Sequence, residues 1–254
     1  MIFLNYLSDT IFKIPVIIFA FIIFIEQNTY AKLEIPRQLT KTDRSQVLEI
    51  LGLASSYKNV ADPYPLGGYS GVQINYTMEY IPISELSQLG SKSNSQSDFS
   101  YATFTLGKGL FQNVDLFVQL TPFEQQEDFN KYGGQIRWGF YDAKNSPLQM
   151  SLSVFANSCN FQNLISTTSQ GYDLIADYQI DNTSIYIGWG LMRVFGIFTG
   201  GAVGLTDTNN TEQNDLNDTH SFIGLSLKLE KFFLALQMDR YKASTYSASL
   251  GFRF

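Results

Sequence analysis

Tyr246-Ser-Ala-Ser-Leu-Gly-Phe-Arg-Phe254 alternates along its whole length. Tyr246, Ala248, Leu250, Phe252 and Phe254 are apolar, while Ser247, Ser249, Gly251 and Arg253 are small or polar. Successive side chains of a β-strand point to opposite faces, so this stretch reads as a strand with one greasy face and one polar face. The same pattern recurs upstream. In Val72-Gln-Ile-Asn-Tyr-Thr-Met-Glu-Tyr80, the residues Val72, Ile74, Tyr76, Met78 and Tyr80 share one face; Gln73, Asn75, Thr77 and Glu79 share the other. A half-solvated sheet in water gives such a pattern too. Here nearly every segment shows it, and between the strands no helix is left over to cover the apolar faces.

Between these two strands the alternation predicts further ones over residues 98–107, 113–123, 131–142, 148–158, 171–180, 183–191, 221–230 and 231–240, ten in all. Residues 192–205 are rich in glycine and the alternation slips near Arg193, which reads as one long bulged strand; a hidden hairpin there raises the count to twelve, and eight is the lower alternative. The connections test the number. Those after even strands are tight (108–112, 143–147, 181–182, 230–231). Most of those after odd strands are long (84–97, 124–130, 159–170, 206–220). Short turns on one side of a membrane and long loops on the other are the habit of outer-membrane barrels.

The closing strand, with its final aromatic, resembles that of the bacterial outer-membrane β-barrel superfamily. The resemblance covers residues 68–254 as a pattern and singles out no family. It implies an all-β, transmembrane antiparallel barrel in the outer membrane of a Gram-negative cell envelope, with lipid outside. It also implies an assembly signal carried by Tyr246, Leu250, Phe252 and Phe254, read by the barrel-assembly machinery.

The start of the chain reads differently. Ile14 to Ile25 is an apolar run of twelve residues, short for a membrane span. With Lys13 before it and Thr29-Tyr30-Ala31 after it, residues 1–31 read as a secretory signal peptide. Residues 32–67 are expected to form a periplasmic segment with a short helix from Asp43 to Leu51. Asp43 is its predicted cap, Val47, Leu48, Ile50 and Leu51 its stripe, and Gly52 lies past its end. This helix is expected to rest on the barrel rim rather than plug the lumen. The lone Cys159 forms no internal disulfide. A formal charge of −6 argues against a nucleic-acid partner.

The chemistry is sparse. Alternation points Glu79, Asp115, Arg137, Asp173, Asp177, Lys228, Asp239 and Arg253 into the lumen, together with Gly133, Gly139, Gly188, Gly190 and Gly224, which leave room for water. Charges inside a barrel must pair or be wet. In the most polar loop, Asp207, Asn209, Asp215 and Asp218 fall at calcium-loop-like intervals. Glu212 stands where the sharp-turn glycine is needed, so the loop reads as solvated and no metal or cofactor is expected. Asp218-Thr-His220 resembles half of the omptin protease site, with Ser221 adjacent, but the paired-Asp element of that family is missing. Hydrolysis through His220 is therefore the least favoured function, and none of these residues is assigned a catalytic role. A narrow, porin-like pore for small solutes and a non-conducting barrel displaying loops to an extracellular ligand stand about level.

Overall fold

The computed structural model describes residues 33–91, 95–122, 129–143 and 145–254; the apolar run read as a signal peptide lies outside them. Ten antiparallel strands close into one barrel: β1 (Val72–Pro82), β2 (Asp98–Phe111), β3 (Val114–Leu120), β4 (Phe129–Asp142), β5 (Leu148–Phe161), β6 (Ile165–Ile180), β7 (Thr183–Phe198), β8 (Glu212–Leu229), β9 (Phe232–Arg240) and β10 (Ser244–Arg253). Each strand pairs with its sequence neighbours, and β1 pairs with β10 along the seam from Gln73–Arg253 to Tyr80–Tyr246. Helix α1 (Lys41–Val47) and a π-helical turn (Leu48–Leu53) precede the barrel.

One mouth, the near mouth, is where β1 begins and β10 finishes. The turns there are tight: 112–113, 143–147, 181–182 and 230–231. The far mouth carries the longer connections 83–97 and 199–211. Ile74, Leu106, Val118, Ile136, Trp138, Val154, Leu174, Ile187, Trp189, Ile223, Leu225 and Leu236 stand exposed around the outside. A soluble protein rarely exposes so continuous an apolar belt, because its hydration is unfavourable by roughly 25 cal/mol per Å2.

Strands β5 to β8 rise beyond this belt toward the far mouth, and here the expectations fail in an informative way. The turn expected over 159–170 shrinks to residues 162–164, and most of the polar loop 206–220 is the first half of β8. β7 runs unbroken to Phe198 against both neighbours, with no bulge at Arg193; register shifts occur instead at Gly109/Phe111 and Gly139/Tyr141. The apparent slip has a physical cause. Above the belt the apolar face turns inward: Cys159, Phe161, Ile165, Met192, Val194 and Phe198 are buried. The outward residues Ser166, Thr168, Gln170 and Arg193 are exposed.

The inward face is apolar there because it packs on the N-terminal helix. Thr40, not Asp43, is the cap: its side chain accepts from Asp43 N–H while the Asp43 carboxylate accepts from Thr40 N–H. Val47, Leu48, Leu51 and Leu53 are fully buried against Val194, Phe198, Phe161 and Leu205. Gly52 does not end the helix. It sits inside the π-turn, where a Cβ would lie 2.9 Å from Val194 Cγ1, so its missing side chain is what lets helix and strand meet.

Candidate functional site: the occupied lumen

The segment after the helix decides what the lumen can do. Leu39 N–H donates to Leu205 O at 2.7 Å. Arg44 pairs with Asp207 at 3.3 Å and donates to Asn214 Oδ1 at 3.2 Å. Lys242 pairs with Glu49. These contacts fix residues 37–54 at the far mouth. β1 nevertheless begins at the near mouth, so residues 55–71 must cross the whole interior. The helix, expected on the barrel rim, packs at the far mouth against Val194 and Phe198, and the segment after it lies inside the barrel wall.

The crossing has little regular structure of its own, and wall side chains take its backbone groups. Asn157 donates to Ser55 O, Lys131 to Ser56 O and Gln119 to Lys58 O. Ser151 donates to Pro63 O, and Arg137 and Arg253 both donate to Tyr64 O. Asp115 accepts from Leu66 N–H at 3.1 Å. A buried backbone group without a partner is costly, and these bonds remove that cost.

Charge is matched in two layers. Toward the far mouth, Glu79 accepts from Lys58 Nζ at 2.8 Å, from Lys131 Nζ at 3.0 Å and from Tyr101 Oη at 2.8 Å. Toward the near mouth, Arg137 pairs with Asp115 at 2.9 Å and Arg253 with Asp62 at 2.9 Å. Glu79–Lys131 and Asp115–Arg137 are contacts of wall with wall. Lys58–Glu79 and Asp62–Arg253 join segment to wall.

Of the residues expected in the lumen, Glu79, Asp115, Arg137, Asp173, Asp177 and Asp239 are buried facing inward, and Arg253 is partly buried at the near mouth. Lys228 points the same way but is exposed beside the mouth. The room expected from glycines is taken by other side chains. A Cβ at Gly139 would overlap Pro65, at Gly188 Phe222, at Gly224 Tyr186 and at Gly190 Asp173. Between Lys58, Asp173, His220 and Asp239 lies a void of about 20 Å3, room for about one water.

His220 lies at this void, not at an outer rim. Its ring stacks between Phe222 and Tyr241, and Nδ1 lies 3.5 Å from Asp173 Oδ1. Ser221 is the next residue of the same strand and faces outward, so the two cannot act as base and nucleophile on one substrate. Tyr241 bonds Ser56 Oγ at 3.0 Å, and burial holds its phenol well above the ordinary range. The calcium-like spacing does not converge either: Asp207 faces Arg44, and Asp215 sits on β8 paired with Arg193 at 2.8 Å. Tyr246, Phe252 and Phe254 stand exposed on the outer wall, with Leu250 half-buried among them.

Lys58, Asp62 and Tyr64 were not legible as site residues, because no periodicity places an irregular segment. Lys131 is also missing from the expected lumen set, although it shares the parity of Gln135 and Arg137 and the alternation could have placed it.

No protein-family profile matches the chain, and no curated protein matches it. Three solved structures are among those to which the chain is similar. The attachment invasion locus protein Ail of Yersinia pestis is 14% identical with a TM-score of 0.31, over 72% of this chain and 97% of that one. Neisserial surface protein A is 12% identical with a TM-score of 0.28, over 72% and 94%. Omp33 of Acinetobacter baumannii is 9% identical with a TM-score of 0.33, over 76% and 100%. The chain is a closed ten-stranded antiparallel barrel whose lumen is occupied by its own residues 55–66.

Proposed function

We propose that this protein is an integral outer-membrane barrel that does not conduct, sealed by its own N-terminal segment, and that it presents its capped far mouth to the outside of the cell. The observation that carries the reading is the crossing segment: residues 55–66 fill the lumen, and wall side chains bond its carbonyls. The exterior assignment of the far mouth rests on loop lengths, since outer-membrane barrels keep short turns on the periplasmic side. In that orientation the helix, at the opposite mouth from β1's start, lies on the exterior side, whereas residues 32–67 were expected in the periplasm. The working surface is then the tall wall of β5–β8 with the helix behind it, a platform for adhesion, recognition or envelope stability. The buried, stacked His220 supports a non-catalytic role.

One observation favours a second reading, a gated small-solute channel. Glu79–Lys131 and Asp115–Arg137 are paired within the wall, so withdrawing the segment leaves those four charges compensated. Single-channel recording of the refolded protein in a planar bilayer separates the two. The sealed barrel gives no steps at any voltage that leaves the bilayer intact; discrete steps from the unaltered chain overturn the sealed reading.

A further inference from the structure

A depression of about 1020 Å3 lies on the outer wall, across β3 to β8. Strand register explains it. Val118, Gly134, Ala156, Gln170, Arg193 and Asn217 sit side by side in one row, each directly paired with the next. One step nearer the near mouth runs a second row: Leu116, Ile136, Val154, Tyr172, Leu191 and Thr219. Gly134 and Ala156 carry almost no side chain between bulky neighbours, so the floor drops there.

Strands of such barrels tilt by about 35–45° from the membrane normal, so a row perpendicular to them climbs through the membrane. Its β3–β5 members are apolar and lie in the belt. Its β6–β8 members, Gln170, Arg193 and Asn217, lie in the polar zone above it. The depression is therefore continuous with the lipid-facing surface at one end and reaches a cation at the other. Arg193 is exposed, and Asp215 takes one nitrogen of a guanidinium that has five N–H donors. Arginine is a strong partner for phosphate oxygens.

We propose that this depression seats one phosphorylated lipid of the outer leaflet, with an acyl chain over Gly134 and Ala156 and a phosphate at Arg193. The proposal rests on the outer-membrane orientation argued above. Native mass spectrometry of the refolded protein with bis-phosphorylated lipid A tests it. One bound lipid is expected to survive detergent removal. Ala156→Phe fills the groove from the outside and should weaken retention about tenfold, equivalent to about 1.4 kcal/mol. Ala176→Phe, outward on the same wall but outside the groove, should leave it unchanged. Arg193→Gln should abolish the preference for phosphorylated over dephosphorylated lipid A. Equal retention by Ala156→Phe and Ala176→Phe, or no phosphate preference in the unaltered protein, overturns the site. Heat-modifiable gel mobility reports barrel folding separately, and surface labelling at the helix reports orientation, so a failed lipid site is distinguishable from a failed membrane reading.

Discussion

Lys58 Nζ lies 2.8 Å from Glu79 Oε2, one of the ion pairs that tie a segment without strand pairing to the wall of a closed barrel. Glu79 is shared with Lys131, so the two cations depend unequally on it. Lys131 has a backbone carbonyl and Tyr101 as further partners, and Lys58 has the Ala54 carbonyl.

Glu79→Gln leaves two buried ammonium groups facing a neutral side chain. Breaking a buried pair from one side costs about 3–5 kcal/mol. The unfolding midpoint in urea should fall accordingly. Lys58→Met should cost clearly less, because the Glu79–Lys131 pair survives it. Equal losses in the two variants contradict the shared-anion arrangement.

Gly139 offers a way to dislodge the segment without cutting the chain. The atoms nearest to a Cβ there belong to Pro65 and Tyr64 of the segment and not to the wall. Gly139→Val is expected to keep heat-modifiable mobility and to introduce discrete conductance steps in a planar bilayer. A folded but silent variant means that the lumen stays closed after Pro65 has moved.

The helix packs in a hydrophobic cluster that it shares with Ile81, Phe99, Phe161 and Val194 of the wall. Leu48→Ala removes a fully buried side chain, with an expected loss of about 2–5 kcal/mol. The effect should be local: amide exchange quickens over residues 41–53, while the β1–β10 seam stays protected. Uniform loss of protection indicates that cap and barrel unfold as one unit.

Orientation is open to chemical labelling because Cys159 is buried and is the chain's sole cysteine. Gln46→Cys, exposed on the helix, should react with a membrane-impermeant maleimide on intact cells. Glu230→Cys, in a near-mouth turn, should react only after the envelope is opened. The reverse pattern inverts the orientation.

The barrel itself was readable in the sequence because strands with an apolar outer face and a polar inner face alternate plainly over stretches such as Val72 to Tyr80 and Tyr246 to Phe254. The same rule places Glu79, Asp115, Arg137, Asp173, Asp177 and Asp239 inward. It failed where its premise failed. Past Val154, Tyr172 and Leu191 the inside is a helix, so apolar residues change face. Read with a fixed premise, β7 appears to slip at Arg193 and β8 appears to be a loop before His220. The crossing segment was illegible for another reason: Lys58 and Asp62 are placed by partners about 20 and 190 residues away, and local pattern carries no trace of such partners.

The path of residues 33–71 also constrains how the molecule comes into being. A strand sheet that closes first leaves a finished ring, and the helix would then have to be drawn through it end-on past Lys131, Arg137 and Arg253. Joining β1 to β10 last avoids this: the open sheet wraps a segment already lying along it, and Glu79 and Asp115 meet their partners before the seam zips. The segment then serves as the mandrel on which the ring is wound, and a chain lacking it has to curl its sheet around empty space.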